Sequence, residues 1–69
     1  MLLPNGSMIK NDVIESFNRA VANDENVRAD GSINWDFVSA DMSMDLGGIY
    51  NWDYINDCMD ALADEWLDA

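Results

Sequence analysis

The stretch WDYINDCMDALADEWL, residues 52–67, has the clearest helical periodicity in the chain. At about 100° per residue, its large apolar residues fall within an arc of roughly 80°. The residues in this arc are Trp52, Ile55, Met59, Leu62 and Trp66. Asn51 precedes the stretch and suits a helix N-cap, because its side-chain oxygen can accept a backbone N–H. The pattern therefore predicts an amphipathic helix over 52–67 whose apolar arc faces a core, with Tyr54 and Cys58 on its flank.

A second helix is predicted over residues 35–46, with Asn34 as its N-cap. One face carries the predicted core residues Trp35, Val38, Met42 and Leu46. Phe37 and Met44 lie almost opposite that face, whereas a surface helix normally has one apolar stripe. We therefore expect this helix to be sandwiched, or to present Phe37 and Met44 to another chain, including a second copy in a homodimer.

A third amphipathic pattern covers residues 8–22, and a polar stretch with an Asp30-Gly31 turn signal follows it. Its apolar side holds Ile9, Val13, Phe17, Ala20 and Val21. Three helices in 69 residues predict one compact all-α domain over residues 8–69. Residues 1–7 are left out of the predicted domain as an N-terminal extension, either native or vector-derived, since Gly6-Ser7-Met8 also matches a cloning scar ahead of a start at Met8.

Negative charge dominates the composition. Fourteen Asp and Glu residues oppose three Lys and Arg residues, which gives a formal net charge of -11. Residues 29–69 contain no base at all. Such a field disfavours nucleic acid and anionic membranes as direct partners, and it favours a basic protein surface.

The predicted third helix arranges its acids in a stripe opposite its apolar arc. The candidate partner-binding acids are Asp53, Asp57, Asp60, Asp64 and Asp68 of this stripe, Glu65 beside it, and Asp36, Asp41 and Asp45 of the second helix. A stripe spaced three to four residues carries a carboxylate every 5 to 6 Å or so, whereas duplex DNA carries one charge per roughly 1.7 Å. To approach the charge density of duplex DNA, the second helix or a second copy of the chain would have to add carboxylates. The alternative interpretation is a solvated face that keeps a small protein soluble.

Several kinds of chemistry are excluded by residue content. The chain has one cysteine and no histidine, so an internal disulfide, a zinc site and histidine-based proton transfer are ruled out. Cys58 has acidic neighbours, Asp57 and Asp60, which blunt a thiol nucleophile. We expect a non-enzymatic protein without a cofactor in a reducing cytoplasm. The apolar runs are too short to span a bilayer, and the start lacks signal-peptide features.

A calcium loop is a weaker candidate. Positions 1, 3, 5, 7 and 12 of an EF-hand spacing are matched by Asp30, Ser32, Asn34, Asp36 and Asp41. However, Trp35 occupies the position where the sharp turn needs glycine, and Asp41 is shorter than the usual bidentate glutamate. A polar turn followed by a capped helix is the favoured interpretation.

The size, charge and carboxylate stripes of residues 29–69 resemble the small acidic DNA-mimic proteins of phages and mobile elements. Members of that class inhibit restriction enzymes, CRISPR effectors, uracil-DNA glycosylase or nucleoid proteins. The resemblance implies an inhibitor that occupies the basic nucleic-acid-binding surface of a host or defence protein in the host cytoplasm. It carries no shared motif, so it transfers no residue role. The alternative is a small helical interaction module that docks through an apolar face at Phe37, Met44 and Tyr54.

Overall fold

The chain folds as three helices: α1 spans Asn11–Ala22, α2 spans Trp35–Leu46 and α3 spans Trp52–Asp68. A one-turn 3-10 helix at Asp24–Asn26 follows α1. This computed structural model describes residues 2–68, and of Asp68 it describes the backbone alone. Extended pairing within that range is confined to two isolated bridges, Leu2 with Met8 and Val27 with Ile33. The predicted all-α, three-helix class is confirmed.

Asparagine side chains fix where α2 and α3 begin. The side-chain oxygen of Asn51 accepts the backbone N–H of Tyr54 at 2.9 Å. Asn34 makes the equivalent bond to the N–H of Phe37 at 3.4 Å. Each cap satisfies a backbone donor that has no partner in the first turn of a helix. Both predicted N-caps are confirmed.

Helix α1 begins at Asn11, three residues later than predicted. The Tyr54 hydroxyl donates to the Met8 carbonyl at 2.7 Å and accepts the Lys10 N–H at 3.2 Å. These bonds hold the backbone of residues 8–10 outside the helix, and Lys10 itself is extended. The approximate start at Met8 is three residues early, because periodicity cannot register this tertiary contact.

The N-terminal segment contributes to the core. Leu3 is only 4% exposed and belongs to the main hydrophobic cluster. Its N–H bonds the Ser7 carbonyl at 2.7 Å across a tight turn in which Gly6 has a φ of +86°, a conformation that glycine adopts readily. Leu3 therefore packs with the core, although it precedes the expected boundary at Met8.

The core lies where the three helices meet. Helix α1 buries the predicted face with Val21 half-buried, and α2 buries Val38, Met42 and Leu46 with Trp35 half-buried. The buried cluster consists of Leu3, Ile9, Val13, Phe17, Ala20, Ile33, Val38, Met42, Leu46, Ile55, Cys58, Met59, Leu62 and Ala63. Among the residues that the structure describes, no helix has the length and apolar content needed to cross a membrane.

The buried face of α3 differs from the predicted arc at both ends. Trp52 is 53% exposed and Trp66 is also exposed, whereas the small residues Cys58 and Ala63 are buried. Helix α3 has 17 residues and α2 has 12, so α3 is longer by about 7 Å at 1.5 Å per residue. Trp52 is the first residue of α3 and Trp66 lies in its last turn, and the core prediction for both tryptophans is wrong because both remain exposed.

Candidate partner-binding surface

Four carboxylates form a continuous line on the outer face of α3. We call this line the acidic ridge, and it consists of Asp53, Asp57, Asp60 and Asp64, all of them exposed. At about 100° per residue, the ridge is centred about 180° from the buried face of the same helix. Glu65 is exposed but lies about 100° around the helix from the ridge. The Asp68 side chain, which was also predicted to join, lies outside the described residues.

Two grooves flank the acidic ridge. The N-terminal groove, of about 310 Å³, is lined by Leu3, Pro4, Asn5, Asp57, Asp60, Ala61 and Asp64. The Trp35 groove, of about 470 Å³, is lined by Trp35, Met59, Asp60, Ala63, Asp64 and Leu67. Asp60 and Asp64 border both grooves. The ridge thus stands between two concave surfaces instead of on a flat one.

The grooves could not be found from the sequence. Their far walls come from the N-terminal segment and from the start of α2, which approach α3 only in the folded chain. Helical periodicity reports which residues share a face of one helix, and it carries no information about neighbouring elements. The exposed line of carboxylates was predictable, but its concave borders were not.

The acids of α2 behave differently from the ridge. The Asp45 carboxylate accepts hydrogen bonds from the Arg19 guanidinium at 3.1 Å and the Ser16 hydroxyl at 3.0 Å. Both hydrogen bonds lower the pKa of Asp45, and the bond from Arg19 has the larger effect. Asp41 accepts the side-chain N–H of the buried Asn26 at 2.8 Å. Both carboxylates therefore join α2 to the α1 side of the domain.

Asp41 and Asp45 are thus bonded within the domain, and their place in the partner-binding set stays a prediction. Asp36 and Asp45 are both exposed, but Asp36, in the first turn of the helix, is the one α2 acid whose carboxylate accepts no hydrogen bond within the described part of the chain. Arg19–Asp45 is the one ion pair among the described residues. Arg28 donates to the Ile33 carbonyl at 3.1 Å. No ridge carboxylate therefore has a cationic partner within the part of the chain that the structure describes.

Four of the five residues of the candidate calcium loop make side-chain hydrogen bonds within the described part of the chain, and Asp36 is the exception. Asp30 accepts from the backbone N–H and the hydroxyl of Ser32 at 3.0 and 2.7 Å, which lowers the Asp30 pKa. Asn34 caps α2. Across residues 2–68, no three His, Cys, Asp or Glu side chains are arranged to hold a metal ion. This stretch forms a polar turn followed by a helix that Asn34 caps.

The candidate apolar interface is only partly assembled. Phe37 is 54% exposed and Met44 is 85% exposed. They lie seven residues apart, on one face of α2. Tyr54 does not join them, because it is half-buried and its hydroxyl binds the N-terminal segment at Met8 and Lys10. The place of Tyr54 in the predicted apolar surface stays a prediction.

Cys58 is fully buried, and burial raises the pKa of its thiol, with a further increase from the negative charge of Asp57. We expect the native thiol to react with a disulfide reagent at least about 100-fold more slowly than in urea, because an opening of about 3 kcal/mol exposes it less than 1% of the time. Stopped-flow or manual mixing with Ellman's reagent measures both rates. Equal rates would show that Cys58 is accessible in the native fold.

Comparisons with protein-family models, with curated proteins and with solved structures found no match to this chain. We therefore infer its function from the charge and shape of its own surface. The acidic ridge and its two grooves are the most distinctive parts of that surface.

Proposed function

We propose that this protein is a non-enzymatic inhibitor that binds the basic nucleic-acid-binding surface of another protein and blocks access of nucleic acid. The acidic ridge would make the principal contact. The exposure of four carboxylates in line on α3, without an ion-pair partner in the described part of the chain, is the observation that carries this proposal.

The spacing of the ridge favours mimicry of one strand over mimicry of a duplex. Asp53 and Asp64 are eleven residues apart, or about 16 Å at 1.5 Å per residue, so the ridge has one charge per roughly 5 Å. A single DNA strand carries one charge per about 3.4 Å of axis, and the duplex has twice that density. With Asp41 and Asp45 bound to the α1 side, the ridge stands in for the phosphates of one strand.

The ridge is unfavourable for the isolated protein. Like charges three or four residues apart on a helix destabilise it by a few tenths of a kcal/mol per pair. A basic partner would relieve this repulsion. Its long-range attraction would also speed encounter, and added salt would weaken it, because charges are screened over about 8 Å at physiological ionic strength.

Replacing all four ridge aspartates with asparagine is expected to abolish capture of basic partners from a cell extract. Wild-type protein on a solid support should retain nucleic-acid-binding proteins at about 0.05 M salt, release them as salt rises, and release them on addition of duplex or single-stranded DNA. Circular dichroism should show unchanged or increased helix content in the variant, since repulsion within α3 is removed.

The matched control removes four acids that lie off the ridge: Glu15→Gln, Asp24→Asn, Glu25→Gln and Glu65→Gln. All four are exposed, so this variant loses the same charge from other parts of the surface. It should retain most of the captured proteins. If the ridge variant captures the same proteins as wild type, or if both variants lose them equally, the ridge is not the binding site.

A second candidate function is docking through the apolar face of α2, which the exposure of Phe37 and Met44 favours. An apolar centre beside acidic residues is common in protein interfaces. In that case the acidic residues would act only to keep the protein soluble. Capture would then survive high salt and the ridge substitutions, and it would be lost on replacing Phe37 and Met44 with alanine.

A further inference from the structure

The Trp35 groove combines an apolar floor with an acidic rim. Met59 and Ala63 of α3 are buried at its base, and Leu67 borders it near the end of the helix. Asp60 and Asp64, one helical turn apart, form the rim. No basic residue lines the groove. This lining is complementary to a side chain that has an aliphatic stem and a positive end.

The aromatic wall of the groove is fixed by its neighbours. The Trp35 ring lies nearly parallel to that of Phe17, with centroids 6.2 Å apart. The Trp66 ring is almost perpendicular to the Trp35 ring, with centroids 5.9 Å apart. The indole of Trp35 is therefore positioned before any partner arrives, which lowers the entropy cost of binding against it.

We propose that the Trp35 groove receives an arginine side chain of the basic partner. The stem would pack on Met59 and Ala63, and the guanidinium would bind the Asp60 and Asp64 carboxylates beside the Trp35 ring. Arginine fits better than lysine, because its planar guanidinium stacks on aromatic rings, bonds carboxylates in pairs and is less strongly hydrated. The inference rests on the proposed function, since it identifies an anchor on the same partner.

The N-terminal groove provides an internal comparison. It shares Asp60 and Asp64 and adds Asp57, but its far wall is Leu3, Pro4 and Asn5. Since no aromatic residue lines that groove, it offers charge without a stacking surface. If charge alone decided binding, both grooves and all four ridge residues would attract lysine and arginine to the same extent.

A direct test compares the binding of tetra-arginine amide and tetra-lysine amide. Both peptides have four cationic side chains, which end in a guanidinium in the first and an ammonium in the second. Titration into the full chain is followed by tryptophan emission, and Trp52→Phe leaves only Trp35 and Trp66, which packs against the Trp35 ring, as emitters. The arginine peptide should bind about three- to tenfold more tightly and change the emission. Equal affinities for the two peptides would overturn the arginine anchor.

Two matched double variants locate the effect. Asp60→Asn with Asp64→Asn removes the rim, whereas Asp53→Asn with Asp57→Asn removes the same charge from the ridge outside the Trp35 groove. The rim variant should bind the arginine peptide about tenfold less tightly and lose the preference over lysine. The second variant should weaken both peptides alike and keep the preference. All four positions are exposed, so both variants should fold, as circular dichroism would verify.

The outcomes separate this inference from the proposed function. If both double variants weaken peptide binding equally and neither changes the preference, the arginine anchor is wrong, although the ridge can still act through its overall charge. If the arginine preference depends on Asp60 and Asp64 but the fourfold ridge variant captures partners normally, the groove binds arginine and the proposed function is wrong.

Discussion

Replacing Met42 with alanine is expected to lower the free energy of unfolding by about 2 to 5 kcal/mol. Met42 is 0% exposed and lies in the middle of α2, which packs against both other helices. Truncation of a buried methionine costs about 2 to 5 kcal/mol, because the cavity that it leaves refills only partly. A domain of this length has about 3 to 10 kcal/mol of total stability. A single core side chain therefore accounts for a large share of it.

Met44→Ala is the matched control for this prediction. It changes the same residue type in the same helix, but Met44 is 85% exposed. We expect its free energy of unfolding to stay within about 0.5 kcal/mol of wild type. Urea denaturation followed by circular dichroism measures both variants. Similar losses of unfolding free energy for Met42→Ala and Met44→Ala would mean that α2 does not bury the face that carries Met42.

Leu3→Ala is expected to lower the free energy of unfolding by about 2 to 4 kcal/mol. The Leu3 side chain belongs to the core although it lies eight residues before α1 begins. Its loss would also loosen the tight turn between Leu3 and Ser7, which brings the N-terminal segment against α3. Thermal and urea unfolding of the full chain measure the effect.

The adjacent residue supplies the control. Leu2 pairs with Met8 through its backbone, and its side chain is exposed. Leu2→Ala should therefore change stability by no more than about 0.5 kcal/mol. If Leu3→Ala were equally mild, residues 1–7 would be dispensable for the fold, as the sequence alone had indicated.

Local patterns predicted most of the secondary structure. The bounds of α2 were predicted correctly and the end of α3 to within one residue, because periodicity and an asparagine cap are properties of neighbouring residues. The start of α1 was not predicted, because the bonds from Tyr54 to Met8 and Lys10 join residues more than forty positions apart.

The sequence by itself determined the three helices, the excess of negative charge and the line of carboxylates along α3. These follow from residue type and helical spacing, which act within one element. Only the tertiary structure decided which acids remain free. Asp41 and Asp45 were equivalent to the ridge in sequence, but packing of α2 on α1 bonded them to Asn26 and Arg19. It likewise created the grooves, because their two walls come from segments that meet only when the chain has folded.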